Sequence, residues 1–191
     1  MLNKAIIIKN LIALFLFLGQ GIFCFGQTQE YKIDLANSTV TFLVSHMGVL
    51  TVTGEFQEFS GTLGFDEQEL LSIESSIVVE SINTKDNSRD TTLKSEGYLD
   101  VKNYPLIIFT STDIKVTSSS KTIKGSLKIK GVTREIELSY KKIKSKNPEL
   151  TFIKISTQIS RKDFDLDFGP MDVLIGNNVK VELKIVFSKT K

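Results

Sequence analysis

The sequence predicts an all-β fold, an extended antiparallel barrel of about eight strands with one short helix at its mouth. Three observations carry this. Apolar and polar residues alternate with a period of two through much of residues 30–188, the mark of half-buried antiparallel strands. Turn residues punctuate the alternation at Asn37-Ser38, Gly48, Asp66-Glu67, Ser118 to Ser120, Gly131, Asn147-Pro148 and Gly176-Asn177-Asn178, with no domain linker and no internal repeat. A single helical stretch, residues 88–96, interrupts the strands. Up-and-down strands close most simply into a barrel, because closure removes exposed edges. A two-sheet sandwich is the alternative that alternation alone leaves open.

In chain order, residues 1–26 stand apart. Lys4 and Lys9 form a basic start, Leu11 to Phe25 are almost continuously apolar, and Gln27-Thr28-Gln29-Glu30 is polar. This is the pattern of a secretory signal peptide cleaved near Gly26, leaving residues 27–191 as one domain. Cys24 is the only cysteine, and Gly21-Ile22-Phe23 before it lacks the small residue that a lipidation site wants. Cleavage after Gly26 would leave no thiol chemistry and no disulfide.

The first strand sets Val40, Phe42, Val44 and His46 on one face, against Thr39, Thr41 and Ser45. Between Gly54 and Gly61 the phase slips: Leu50, Val52 and Phe56 are even-numbered, Phe59, Leu63 and Phe65 odd. Such a slip needs a bulge or corner, which flanking glycines make sterically cheap. Helix 88–96 carries Asp90 and Lys94 at a spacing that suits a surface pair, with Gly97 as its left-handed stop. Tyr104-Pro105 then fixes an extended start to the next strand. Later strands set Ile123, Gly125, Leu127 and Ile129 on one face, then Val132, Arg134, Ile136, Leu138 and Tyr140, and last Val181, Leu183, Ile185 and Phe187. The basic run Lys141 to Lys146, ahead of Asn147-Pro148, reads as a solvated hairpin tip.

Composition excludes several function classes. Without Lys4 and Lys9, the 24 basic residues become 22, against 22 acidic. That balance supplies no field for nucleic acid or an anionic surface, and it neither requires nor forbids a homodimer. Beyond residue 26 no segment is long and apolar enough to span a membrane. His46 is the only histidine, so a histidine-rich metal site is excluded by count. Asp163-Phe164-Asp165-Leu166-Asp167 resembles the start of a calcium loop but fails at Phe168, where glycine is needed, and at Leu174, where glutamate is needed. Its acids read instead as the wet side of an edge segment. Arg89 and Asp90 read as a surface charge pair or a functional pair at the mouth. No catalytic residue, metal ligand or cofactor motif is identified, and the sequence argues against an enzyme.

An ordered set of short motifs resembles the YceI-like family. It runs Tyr31-x-Ile33-Asp34, Phe42-x-Val44-x-His46-x-Gly48, Val52-x-Gly54-x-Phe56-x-x-Phe59-x-Gly61, Ser81-Ile82-Asn83-Thr84, Arg89-Asp90, Leu93-Lys94-Ser95 and Tyr104-Pro105. It ends with Phe109-Thr110-Ser111-Thr112, Gly125-x-Leu127, Lys130-Gly131-Val132-Thr133-Arg134 and Arg161-x-Asp163-Phe164. The resemblance implies a lipocalin-like barrel of exported bacterial proteins, periplasmic or secreted, that holds a long polyisoprenoid or isoprenoid quinone in an apolar tunnel. No cofactor is implied beyond the lipid. Phe42, Val44, Phe56, Phe59, Phe109, Leu127 and Phe164 become candidate wall residues. Leu93, Tyr98 and Leu99 become a lid, and His46 either a contact to a headgroup or a hydrogen-bonded brace of the interior. A barrel filled by its own side chains, serving envelope stress response or protein interaction, is the alternative. Two departures stand out: the stretch from Tyr140 to Leu150 is short, and Asp165 replaces the usual glycine after Asp163-Phe164.

Overall fold

A computed structural model describes residues 28–66, 69–117, 120–143 and 151–189. The expected leader at 1–26 and the hairpin tip around Asn147-Pro148 lie outside the described residues. Eleven strands form one antiparallel sheet: β1 (Gln29–Ile33), β2 (Thr39–His46), β3 (Leu50–Phe56), β4 (Phe59–Asp66), β5 (Glu69–Val78), β6 (Ile82–Asn83), β7 (Leu106–Val116), β8 (Lys121–Ile129), β9 (Val132–Ile143), β10 (Thr151–Ser160) and β11 (Ile175–Lys189). Their order is β1-β4-β5-β7-β8-β9-β10-β11-β2-β3-β6, and β1 also pairs with β11.

Three pairs of these strands are halves of one. β1 and β2, split by the 3-10 turn Leu35–Asn37, both pair with β11. β3 and β4 follow them, pairing with β2 and β1 respectively. β6 and β5, split by the turn Val79–Ser81, pair with β3 and β4 in the same way. Taken as continuous, the strands make a closed eight-stranded antiparallel barrel. No sandwich forms, because the β1–β11 pairing joins the two ends of the sheet.

The phase slip falls between Phe56 and Phe59, where Gln57 and Glu58 both face solvent. The glycines beside it do not supply the bend, since neither Gly54 nor Gly61 has positive φ. They give clearance instead: a Cβ on Gly54 would lie 2.2 Å from Cζ of Phe42, its partner across the pair, and one on Gly61 2.5 Å from the Glu74 carbonyl. Gly125 repeats the device, where a Cβ would sit 2.5 Å from both Cζ of Phe109 and the Thr110 carbonyl. Gly125→Ala is therefore expected to cost about 1–3 kcal/mol as the ring and the strand are pushed apart. A urea midpoint equal to that of the wild type would show that the ring yields freely.

The expected helix is present as α1 (Asn87–Lys94), the α-helix found among the described residues. Asp86 caps it, its side chain accepting from the Arg89 N–H at 3.0 Å. Its end differs from expectation. Gly97 is not left-handed; the chain leaves the helix at Ser95, in extended conformation, and the left-handed residue comes later, at Asp100 with φ 50°. Asp90 and Lys94 do not pair either. Lys94 bonds Glu80 at 2.8 Å, and Asp90 turns to Thr84.

Side chains inside the barrel form two clusters. One, built mainly from β1, β2, β4, β5 and β7 to β11, includes Leu63, Phe65, Ile123, Ile153 and Phe187. The other, near α1, includes Val79, Ile82, Leu99, Ile107, Phe164, Leu166 and Phe168. Between the two lies space that side chains do not fill.

Candidate functional site

That space is a tunnel of two chambers. The inner one has a volume of about 90 Å³, and the outer about 180 Å³. Val40, Ile77, Ile107, Leu127, Ile159 and Val181 line both chambers, so the two adjoin. Period-two alternation produces this lining directly, since each strand turns one apolar face inward. Phe42, Val44 and Leu93 carry the outer chamber into an open recess, where the neighbours become His46, Asp86, Ser88, Arg89, Thr92 and Tyr98. The mouth is thus polar on the α1 side, and the tunnel behind it is greasy.

The opposite end is closed by rings. Beyond the inner-chamber residues Ile33, Leu63 and Ile185, the next inward positions are Tyr31, Phe65 and Phe187. Phe65 and Phe187 stack at 5.1 Å between centroids, and Tyr31 meets them edge-on at 5.2 and 5.4 Å. Tyr140, the next inward residue after Leu138, is buried, and its hydroxyl has no hydrogen-bond partner among the described residues. Burial, and then the charge of Glu69, raise the pKa of that phenol above its ordinary value.

A cap over the outer chamber is built on Arg161, which is 2% exposed. The cap comprises the 3-10 turns Arg161–Phe164 and Gly169–Leu174. The guanidinium donates to the carbonyls of Leu166 (2.6 Å), Ile175 (3.0 Å), Asp172 (3.1 Å) and Gly176 (3.2 Å), and bonds the Asp172 carboxylate. It also lies 4.9 Å from the centre of the Phe168 ring, which stacks on Tyr98 at 4.8 Å. Lys162 reaches the other Asp172 oxygen at 2.8 Å. Hydrogen bonds from Arg161 and then Lys162 hold the Asp172 carboxyl well below the usual carboxylate range. Asp165, at the position where glycine was expected, adopts the left-handed conformation itself, with φ 54°. Asp163, Asp165 and Asp167 are exposed, while Phe164, Leu166 and Phe168 are buried. The acids do face water, but the segment is a turn-built cap and not an edge strand.

The structure brings together most of the residues singled out from sequence. Phe42, Val44, Phe56, Leu93 and Leu99 line the outer chamber, Phe109 the inner, and Leu127 both. His46 and Tyr98 stand at the mouth. Phe59 and Phe164 are buried but border neither chamber: Phe59 packs in the first cluster, and Phe164, part of the cap, packs in the cluster near α1. Arg89 and Asp90 form no free pair at the mouth; both grip Thr84. Asp90 accepts from the Thr84 amide (2.9 Å) and hydroxyl (2.6 Å), while Arg89 Nε donates to that hydroxyl at 2.8 Å. They tie α1 to the barrel. Ile77, Ile107 and Ile159 are not singled out by the sequence, whereas Val181 is placed on the apolar face of the last strand and Arg161 stands only within a family motif. The first three follow from alternation continued along their strands, whereas the bonding role of Arg161 has no local signal.

Among the described residues, no group of three or more His, Cys, Asp or Glu could hold a metal ion. No helix among them is long and apolar enough to cross a membrane.

Residues 31–187 match the YceI-like domain family. Protein YceI of Escherichia coli O6:H1 is 30% identical over 163 residues, covering 80% of this chain and 85% of that protein. Among solved structures, BcnA of Burkholderia cenocepacia superposes with a TM-score of 0.73 at 22% identity, over 81% of this chain and 98% of that one. A polyisoprenoid binding domain from Saccharophagus degradans, implicated in plant cell wall breakdown, superposes with a TM-score of 0.65 at 16% identity, over 84% of this chain and 98% of that one. At these identities the two structures share the fold alone.

Proposed function

The chain belongs to the YceI-like family, and on that premise we propose that its barrel is a binding protein, without a catalytic step, for the tail of an isoprenoid or similar amphiphile. The observation that carries this is the pair of adjoining apolar chambers, the outer of which shares Phe42, Val44 and Leu93 with a polar recess. On β11 the lining runs from Val179 to Ile185, about 20 Å at the rise of a strand. That length accepts about four isoprene units at roughly 5 Å each, from ordinary carbon–carbon bond lengths. Each buried methylene contributes about 0.8 kcal/mol, so ten of them offer about 8 kcal/mol, on the order of micromolar affinity before the cost of immobilisation. Affinity then needs no charged anchor, which suits a tunnel lined by aliphatic and aromatic side chains. The polyisoprenoid-binding neighbour supports the choice of ligand. The apolar leader supports an exported protein, periplasmic or secreted, acting as carrier or reservoir.

The test is native mass spectrometry of protein purified without detergent. A reproducible adduct that extracts into organic solvent, with the mass of an isoprenoid, is the expected result. Bare protein that also refuses added isoprenoid quinone would overturn the reading in favour of an interaction protein.

A further inference from the structure

Beside the tunnel mouth the protein exposes an apolar rim that folding does not need. Val49 is 88% exposed and Val173 is 89% exposed, with Met47 and Leu50 each at 57%. Two loops supply these residues, and the backbone holds the loops together. Met47 N–H donates to the Leu174 carbonyl at 2.7 Å, and His46 pairs with both Ile175 and Leu50. His46, Val52 and Ile175 in turn line the mouth recess, so the rim continues the tunnel wall outward. The turn Met47-Gly48-Val49 reaches positive φ at Met47 (53°) and Gly48 (75°), a conformation for which polar Asn-Gly or Asp-Gly is the usual choice. Apolar residues there run against the interests of a hairpin tip in water.

Charge narrows the partner. Residues 46–54 contain no Asp, Glu, Lys or Arg. Residues 168–176 contain only Asp172, whose charge is engaged by Arg161 and Lys162. A surface of this kind recognises hydrocarbon and not an ionic headgroup. We propose that the Met47–Leu50 turn and Val173 dock the tunnel mouth onto a lipid bilayer, inserting at the interface so that an isoprenoid tail passes from membrane to tunnel without crossing water. This rests on the reading of the tunnel as a lipid site, and the experiment separates the two.

Wild-type protein is expected to co-float with phosphatidylcholine vesicles that contain no isoprenoid. Raising salt about tenfold should leave flotation unchanged, because screening acts on charges and not on hydrocarbon contact. In a Val49→Asp/Val173→Asp double variant, flotation should fall by at least about tenfold. Both positions are almost fully exposed, so the fold is preserved. The double variant should still take up geranylgeraniol in the absence of vesicles, read as a mass shift in native mass spectrometry. Wild-type protein that stays out of the vesicle fraction, or a double variant that floats equally well, overturns the docking proposal. A dimer abolished by the double variant, with no flotation of the wild type, assigns the rim to a second copy and also overturns it. Flotation without a geranylgeraniol adduct leaves docking standing and removes the tunnel reading.

Discussion

Arg161→Ala is expected to lower the unfolding free energy by about 3–5 kcal/mol, the range for breaking a buried, hydrogen-bonded charge pair. The loss would exceed that of an ordinary core truncation because one guanidinium serves four backbone carbonyls and the Asp172 carboxylate. With the side chain gone, those carbonyls are left without their donor under the cap, and Phe168 loses the cation over its ring. Lysine cannot replace it, since a single ammonium lacks the planar fork that reaches several carbonyls at once. Urea denaturation at constant m reads the effect; a loss below about 1 kcal/mol would show that the cap carries little of the barrel's stability. The same contact predicts a pH dependence. The folded-state pKa of Asp172 is depressed, so its contribution is full above the ordinary carboxylate value of about 3.9 and is lost as pH falls towards the folded value. Asp172→Asn should therefore flatten the acid limb of stability against pH below about 4, at the cost of a less stable protein at neutral pH.

Leu127→Trp is expected to reduce retention of an isoprenoid by about two orders of magnitude or more. Leu127 lines both chambers, so an indole there separates the inner chamber from the mouth. Denying the tail even four buried methylenes removes about 3 kcal/mol, which is about a hundredfold in Kd. Overpacking itself costs about 1–3 kcal/mol of stability, so Ile77→Phe, a smaller intrusion at another shared wall position, provides a second reading in a better-folded barrel. Leu71→Trp, on the exposed outer wall, should leave retention unchanged. Competition against a fluorescent fatty probe gives all three values; equal affinities would place the ligand outside the tunnel.

The sequence shows which way each strand faces because that information is local. Val40, Phe42 and Val44 follow one another at the period of the pleat, as do Ile123, Leu127 and Ile129, and the structure sets these series inward. Long-range geometry is less legible. Phe59 and Phe164 carry the right chemistry and are buried, yet the wall of the tunnel is set by barrel closure, which puts Ile77, Ile107 and Ile159 there instead. Asp90 looked paired with Lys94 through helical spacing, but a Thr84 amide and hydroxyl in a fixed turn make better partners than a mobile surface lysine. Arg161 was least legible of all. Its partners are carbonyls, which every sequence contains everywhere, and a carboxylate brought to it by two turns that have no periodic signal.

The ring stack of Tyr31, Phe65 and Phe187 fills the barrel end away from α1, so on the proposed reading a lipid enters and leaves at the α1 mouth. A newcomer then has no exit through the rings by which to push the occupant out. If the barrel carries a lipid as proposed, turnover is expected to be sequential: the resident lipid leaves first, and the vacated barrel refills. Exchange should follow first-order kinetics, with a rate that does not rise with the concentration of the incoming lipid. A protein built this way surrenders its cargo on its own clock.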